Sequence, residues 1–444
     1  MKHPPPRHLA PPPGPSLPAH ARALPRTSML RIVGLVTTAV LVFVGFGVAT
    51  AAVNLTGNID AVDAEEALGT DRPEKVAPED PSAGEPLNIL ILGSDSRDGS
   101  NSEAVDDGTE GARSDTTVVM HLAADRSRVE LMSIPRDTTS DIPACPTSSG
   151  RETPPLYGVK FNAAFAQGVS YGGDVESGAL CTMKTVESMT DVRLDGFVVV
   201  DFSGFEGMID ALNGVDLCIP NDIYAPKAGG LRLDSGVQTL DGSTALQYAR
   251  ARTGEGLGDG SDIGRIGRQQ ELMAALARTV LSQNLLTNSP QLLQFLDAVT
   301  GSLTMSSNLA SIQGLAGLAY SARDVRPDTI AFMTVPWQYD PSNRNNVVLV
   351  DEAQQVFDNL RNDVPLSDVF DPAPASDDDT STGNPGADGG RTSDEPDAST
   401  DEETGPAESG SEADEPPDTN PSPTETRDPR EEAFTGADVT AVCG

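Results

Sequence analysis

Histidine is nearly missing from this 444-residue chain: there are four, and three of them, His3, His8 and His20, fall near the N-terminus. His121 alone remains beyond them, inside a predicted strand, where a single histidine more often packs than reacts. A Ser-His-Asp triad and a His-rich zinc site are therefore poorly supported. Basic charge is also in deficit, with 30 Lys and Arg against 67 Asp and Glu and a formal net charge of -37. Such a chain repels nucleic acid phosphates, and no basic cluster follows residue 53 to overcome this, so no nucleic acid partner is expected. Cysteine stops at four, Cys145, Cys181, Cys218 and Cys443, in no CxxC spacing. Zinc ligation through sulfur is thus disfavoured. An even count predicts two disulfides in an oxidising compartment. Three pairings are open, of which Cys145 with Cys181 and Cys218 with Cys443 is preferred.

One long apolar run is present, from Ile32 to Val53, with no charge in about 22 residues. As a helix it measures roughly 33 Å, enough to span a bilayer. Upstream lie Lys2, Arg7, Arg22, Arg26 and Arg31 with no acidic residue, a bias that holds this end in the cytoplasm. The alternative is a cleaved signal peptide ending near Ala49-Thr50-Ala51, whose apolar region would run about 7 to 15 residues. The expectation is a single-pass protein of the cell membrane, cytoplasmic over residues 1–31 and extracytoplasmic after residue 53.

Residues 54–86 are polar and acidic with little periodicity and read as a stalk. Residues 87–370 mix apolar and polar positions as one globular domain does. Residues 371–432 are Asp, Glu, Pro, Ser, Thr and Gly almost throughout, too poor in apolar surface to offset ordering entropy, and read as a disordered acidic tail. A segment of 433–444 with Cys443 closes the chain. Within the domain, strands are predicted at Leu87–Leu92, Thr116–Leu122, Arg128–Ile134, Gly196–Asp201, Val215–Ile219 and Thr329–Val335, several as continuous apolar runs. Helical spacing occurs at Ala179–Met189, Ser203–Leu212, Gly242–Ala251, Gly264–Leu285, Leu292–Ser302, Leu309–Ala322 and Glu352–Leu360. This alternation predicts an α/β fold, an α-β-α sandwich around a central mixed sheet.

In place of histidine the domain carries arginine and aspartate at strand ends. Asp95 and Arg97 follow the first strand in LGSDSR; Arg113 and Asp115 open the second in ARSDTT; Arg136 and Asp137 close the third in SIPRDT. Such strand ends commonly converge on one crevice. Lys160 stands in VKFNAAF, Arg250 and Arg252 in LQYARART, and Asp262, Arg265, Arg268 and Gln269 in SDIGRIGRQQ. A Gly-rich loop, TGEGLGDGSD, would bring Arg250 and Arg252 near Arg265, and Arg265 and Gln269 share a helical face. Guanidiniums gathered at one spot repel each other unless an anion holds them, and pyrophosphate fits their bidentate geometry. Asp95 and Asp115 match the one or two carboxylates that hold Mg²⁺ beside phosphate oxygens, or serve as cap or turn residues.

In order, NILILGSDSR, ARSDTTVV, LMSIPRDT, VKFNAAFAQG, CTMKTVESMTDVRLDGFVVVDFSGF, GVDLCIP, TLDGSTALQYARAR and GSDIGRIGRQQ resemble the LytR-CpsA-Psr family of cell-wall glycopolymer transferases, actinobacterial members above all. The likeness covers roughly Leu87 to Leu285. It implies a phosphotransferase, dependent on Mg²⁺ with Mn²⁺ as a substitute, that moves a glycopolymer from a polyprenyl pyrophosphate carrier onto peptidoglycan. It implies Asp95 and Asp115 as metal ligands, and Arg97, Arg113, Arg136, Lys160, Arg250, Arg252 and Arg265 on the pyrophosphate. Asp262 and Gln269 would orient those arginines or the head group. Arg136, Arg250, Arg252 and Asp115 are the expected catalytic set, with Asp115 or Asp137 as base. A polyprenyl pyrophosphate phosphatase and a non-catalytic envelope regulator that binds the lipid carrier are the rival readings.

Overall fold

The computed structural model describes residues 60–76, 84–94, 113–257, 262–282, 303–310, 322–366 and 434–435. By its contacts the chain divides into two units, 1–58, outside the described residues, and 59–444, which holds all of them. The apolar run Ile32 to Val53 and the acidic segment 371–432 lie outside the described residues. Among the described residues no helix is long and apolar enough to cross a membrane.

Among the described residues the central sheet has eight strands: β1 (Asp60–Val62), β2 (Leu87–Ser94), β3 (Ser114–Leu122), β4 (Val129–Ser133), β5 (Gly196–Val200), β6 (Leu303–Ser306), β7 (Ile330–Thr334) and β8 (Phe434–Thr435). Their order across the sheet is β1-β6-β5-β2-β3-β4-β7-β8. The β2–β3–β4 core is antiparallel, whereas β2 pairs with β5, β4 with β7 and β1 with β6 in parallel. The sheet is mixed, as expected. The helices are α1 (Ala64–Leu68), α2 (Ala163–Gly172), α3 (Val175–Thr190), α4 (Phe202–Ala211), α5 (Gly242–Arg250), α6 (Asp262–Ser282) and α7 (Glu352–Arg361).

The continuous apolar runs are explained by cover on both faces. Leu90 and Leu92 of β2 pack with Phe197, Met132 and helices α1, α2, α3 and α7 in one cluster. Ile91, one position out of phase, packs on the other face with Val118, Leu122 and Ala274 of α6. Helices begin where an aspartate can cap them: Asp174, Asp201 and Asp241 accept hydrogen bonds from the amides of Ser177, Gly204 and Thr244. A third cluster, beside the sandwich, joins α4, α5 and α6 to two small hairpins, Ile223–Ala225 with Leu231–Leu233 and Val215–Ile219 with Gly236–Leu240. There Gly242 is obligatory, because a Cβ would stand 2.3 Å from the Glu206 carbonyl oxygen.

Two expectations need correction. The stalk of 54–86 is in part domain: β1 is an edge strand and Ala64 and Leu68 are core residues. Arg72, beyond them, is clamped to Glu187 at 2.6 Å with both side chains about fully buried. A three-residue strand and a five-residue helix are too short to leave a periodic signal. Second, Val215–Ile219 is a strand as predicted but pairs outside the central sheet. The segment 433–444, for which no strand was expected, supplies β8, which pairs antiparallel with β7; two residues carry no strand pattern. Of the predicted helices, Leu292–Ser302 lies outside the described residues, as does most of Leu309–Ala322.

Cys145 is bonded to Cys181, tying a loop to α3. Cys218 is also disulfide-bonded, and its expected partner Cys443 lies outside the described residues. His121 is fully buried, its Nδ1 2.7 Å from Asn88 Oδ1 and its Nε2 3.0 Å from Asp363 Oδ1. It is a packing position, as expected of a lone strand histidine.

Candidate active site

The site grows from sheet register. Val118 of β3 faces Ser133 of β4, and continuing that register three residues brings Asp115 opposite Arg136. There Arg136 Nη1 donates to Asp115 Oδ1 across 2.7 Å. Two further guanidiniums arrive from distant segments: Arg252 Nη2, just past α5, lies 3.5 Å from Asp115 Oδ2, and Arg265 Nη1, in the first turn of α6, lies 3.7 Å from it. Arg265 Nη2 also faces the Asp115 carbonyl oxygen at 3.5 Å. Burial alone would raise the Asp115 carboxyl, but Arg265, Arg136 and Arg252 outweigh it and hold the group below its ordinary range. It is a firmly ionised carboxylate.

Beside this cluster Asp137 forms a second pair. Lys160 Nζ donates to Asp137 Oδ1 at 2.8 Å and to the Asn345 carbonyl at 2.9 Å, while Arg136 Nε lies 3.7 Å from Asp137 Oδ2. Behind the arginines, α6 fixes the end of α5. Gln269 Nε2 donates to the Ala249 carbonyl at 3.3 Å, and Arg268 donates to the carbonyls of Ala251 and Leu257. Tyr248 donates to Glu271 at 2.9 Å; burial, then the Glu271 charge, pushes its hydroxyl well above the usual tyrosine range. The Gly-rich stretch after Arg252 is strapped to the hairpin strand Ile223–Ala225, with Glu255 and Tyr224 exchanging two backbone hydrogen bonds. Arg252 therefore leaves from a fixed backbone.

Residues 51–363 match the LytR_cpsA_psr family. The chain belongs to that family. A relative in Corynebacterium glutamicum, the probable cell wall biosynthesis protein LcpB, is 31% identical over 62% of this chain and 61% of its own. The polyisoprenyl-teichoic acid–peptidoglycan teichoic acid transferase TagT of Bacillus subtilis is 30% identical over 63% of this chain and 77% of its own. A solved structure of TagT bound to LIIa-WTA covers 68% of this chain and 99% of that one, at a TM-score of 0.47 and 24% identity. The chain thus spans less than two thirds of the LcpB relative.

Set against this LytR_cpsA_psr member's expected site, the structure brings Asp115, Arg136, Arg252 and Arg265 together and puts Lys160 one carboxylate away. Gln269 holds the helix that carries Arg250. Arg250 itself is exposed and stacks on Phe202, 4.5 Å from the ring centroid. Arg113 is exposed immediately before β3. Asp262 opens α6, Asp95 and Arg97 lie outside the described residues, and among the described residues no group of three acidic, His or Cys side chains forms a metal cluster. Phe202, Asn345, Tyr248 and Glu271 escape sequence reading. Phe202 and Tyr248 look like ordinary core, and Asn345 acts through its backbone.

Proposed function

We propose that the protein is a phosphotransferase of cell-wall assembly that moves a glycopolymer from a polyprenyl pyrophosphate carrier onto peptidoglycan. The supporting observation is the convergence of Arg136, Arg252 and Arg265, from three separate segments, on Asp115. Cations gather at one point only where anions hold them, and guanidiniums take phosphate oxygens in bidentate fashion. The names of the TagT and LcpB relatives point the same way.

The ionised Asp115 is the hard oxygen donor that Mg²⁺ or Mn²⁺ takes together with phosphate oxygens and water. Asp115 fits such an ion, and Asp95, next in sequence to Ser94, would be the second carboxylate. When bound, the ion would neutralise part of the diphosphate charge. In the transfer, an acceptor hydroxyl oxygen bonds to the phosphorus that carries the sugar, and the bond to the polyprenyl phosphate breaks. Arg136, Arg252 and Arg265 stabilise charge building on the phosphoryl oxygens. The hydroxyl proton goes to a carboxylate. Asp115 is taken up by three guanidiniums and would hold the ion, so Asp137, the carboxylate beside it, takes this role.

The charge-free run of 32–53 would anchor the chain in the cell membrane with the domain outside. The deciding experiment incubates the full chain with a polyprenyl pyrophosphate-linked oligosaccharide, peptidoglycan fragments and Mg²⁺ and follows products by mass spectrometry. A sugar-phosphate-peptidoglycan adduct is the expected product. Free phosphosugar alone would replace transfer by hydrolysis, and intact retained lipid would replace both by a carrier-binding regulator.

A further inference from the structure

Aromatic side chains are scarce here: the chain has one tryptophan and six tyrosines. Yet the tryptophan and two tyrosines stand on two further strand pairs, Thr139–Ile142 with Leu156–Lys160 and Trp337–Tyr339 with Val347–Leu349, which flank residues 136–138 with Arg136 and Asp137. On one flank Phe161 and Asn162 donate their amides to the carbonyls of Thr138 and Arg136, at 2.7 and 3.1 Å, continuing the pairing of Thr139 with Lys160. On the other, the Val347 amide donates to the Asp137 carbonyl at 3.1 Å and Asn346 Nδ2 reaches Thr139 Oγ1 at 3.3 Å. Lys160 closes the seam through Asp137 and the Asn345 carbonyl.

Tyr157 lies on the first pair and is 73% exposed. Its neighbours Leu156 and Val159 turn inward onto Ile142, Cys145, Ala164 and Cys181. Tyr339 lies on the second, pairs with Val347 and is 45% exposed. Its ring meets that of the buried Trp337 edge-on, with centroids 5.2 Å apart. Strand spacing puts Tyr157 about 10 Å along the chain from Lys160, and Tyr339 about 10 Å across two strand intervals from Thr138. Between Tyr339 and Val347 the hairpin tip exposes Ser342, Asn343 and Arg344.

We propose that this wall binds the acceptor as a carbohydrate strand, with Tyr157 and Tyr339 as platforms for sugar rings; the proposal rests on the transferase reading. A flat ring with a negative face suits the C–H face of a pyranose. Hydroxyl, amide and guanidinium groups at the tip suit its hydroxyls and acyl groups. Tyrosine on a rigid strand gives contact area at little entropic cost. Rings interspersed with amides do not suit a prenyl tail, which calls for an enclosed apolar surface. The wall borders Asp137, so a bound strand would present a hydroxyl to the proton acceptor.

The test titrates the full chain with soluble, uncrosslinked glycan strands released from peptidoglycan, and runs the transfer assay in parallel. Trp337 is the only tryptophan, so its emission reports this wall, and a saturable change is expected. Tyr157→Ala and Tyr339→Ala should each raise the acceptor KM on the order of tenfold, with donor KM and Tm unchanged and Tyr339→Phe close to wild type. Turnover with acceptor KM unmoved in both alanine variants would sink the glycan wall and leave the transferase standing. A saturable emission change without turnover would do the reverse.

Discussion

Arg136 and Asp115 face each other across the open end of an antiparallel strand pair, Nη1 to Oδ1 at 2.7 Å. Neither residue is in regular pairing with the other, yet the register of β3 and β4 fixes their meeting. The first pole of the site is therefore part of the sheet itself. The second, Arg252 just past α5 and Arg265 on α6, comes from helices that are locked together by Gln269, Arg268 and the Tyr248–Glu271 bond. Two hydrogen-bonded groups of elements thus present charge to one point, and preorganised charge is what stabilises a phosphoryl transition state without reorganisation at the moment of reaction.

Arg252→Ala and Arg250→Ala test that division of labour. The Arg252 side chain is 45% exposed and Arg250 is exposed over Phe202, so neither supports the core. Arg252→Ala should lower kcat by about 10²–10³-fold and Arg250→Ala, whose guanidinium is turned onto Phe202 and lies outside the cluster, by far less, while Tm moves by no more than about 2 °C in either. A large loss of Tm with proportionate loss of activity would return the residue to a structural role.

Asp137→Asn keeps shape and removes the proton acceptor. Transfer should fall by about 10²–10⁴-fold, with donor binding by a non-reacting lipid pyrophosphate unchanged. Asp115→Asn, in contrast, should weaken donor binding as well, because Asp115 is what draws three arginines together. Equal effects on donor affinity in the two variants would argue that Asp137 merely holds Lys160.

How far the sequence leads depends on the length of the signal. Apolar runs in β2 and β3 and aspartate caps before α3, α4 and α5 leave patterns that survive without coordinates. So do SIPRDT and ARSDTT, which put Arg136 and Asp115 at strand ends. What stays hidden is short or backbone-mediated. β1 and β8 are too brief for a period, the Arg72–Glu187 clamp joins residues 115 positions apart, and Lys160 meets Asn345 through a carbonyl. Arg250 illustrates a different limit: spacing puts it beside Arg252, but a helix end turns it toward Phe202.

The Cys145–Cys181 bridge closes a loop of separation 36. Constraint of the unfolded chain over such a loop is worth about 3–4 kcal/mol. Cys145→Ser with Cys181→Ser should lower stability to urea by an amount of that order, with a larger m-value because the unbridged denatured chain exposes more surface. The bridge anchors the turn before the Leu156–Lys160 hairpin strand, so acceptor KM should rise more than donor KM. A double variant as stable as wild type would show that the small core of Ile142, Ala164 and the two sulfurs holds this loop unaided.

Asp363 supplies a pH dependence far from the chemistry. Its backbone is left-handed, with φ of 57°, and its carboxylate faces His121 Nε2 at 3.0 Å, the Ala124 amide at 3.0 Å and Arg128 Nη2 at 2.6 Å. Burial alone would raise this carboxyl, but the bonds from His121 and Ala124 and the Arg128 charge hold it below the ordinary range. A carboxyl depressed in the folded state contributes stability that is present above its unfolded value, about 3.9, and is lost as pH falls through the folded value. Asn tolerates the left-handed backbone, so Asp363→Asn removes charge without strain. The variant should be less stable than wild type by about 1–3 kcal/mol at pH 7. The gap should shrink as pH falls below about 4, because the wild-type carboxyl then protonates too. Urea denaturation at pH 7 and pH 3.5 measures both differences, and a gap that stays constant between them would remove the charge from the account and leave only packing.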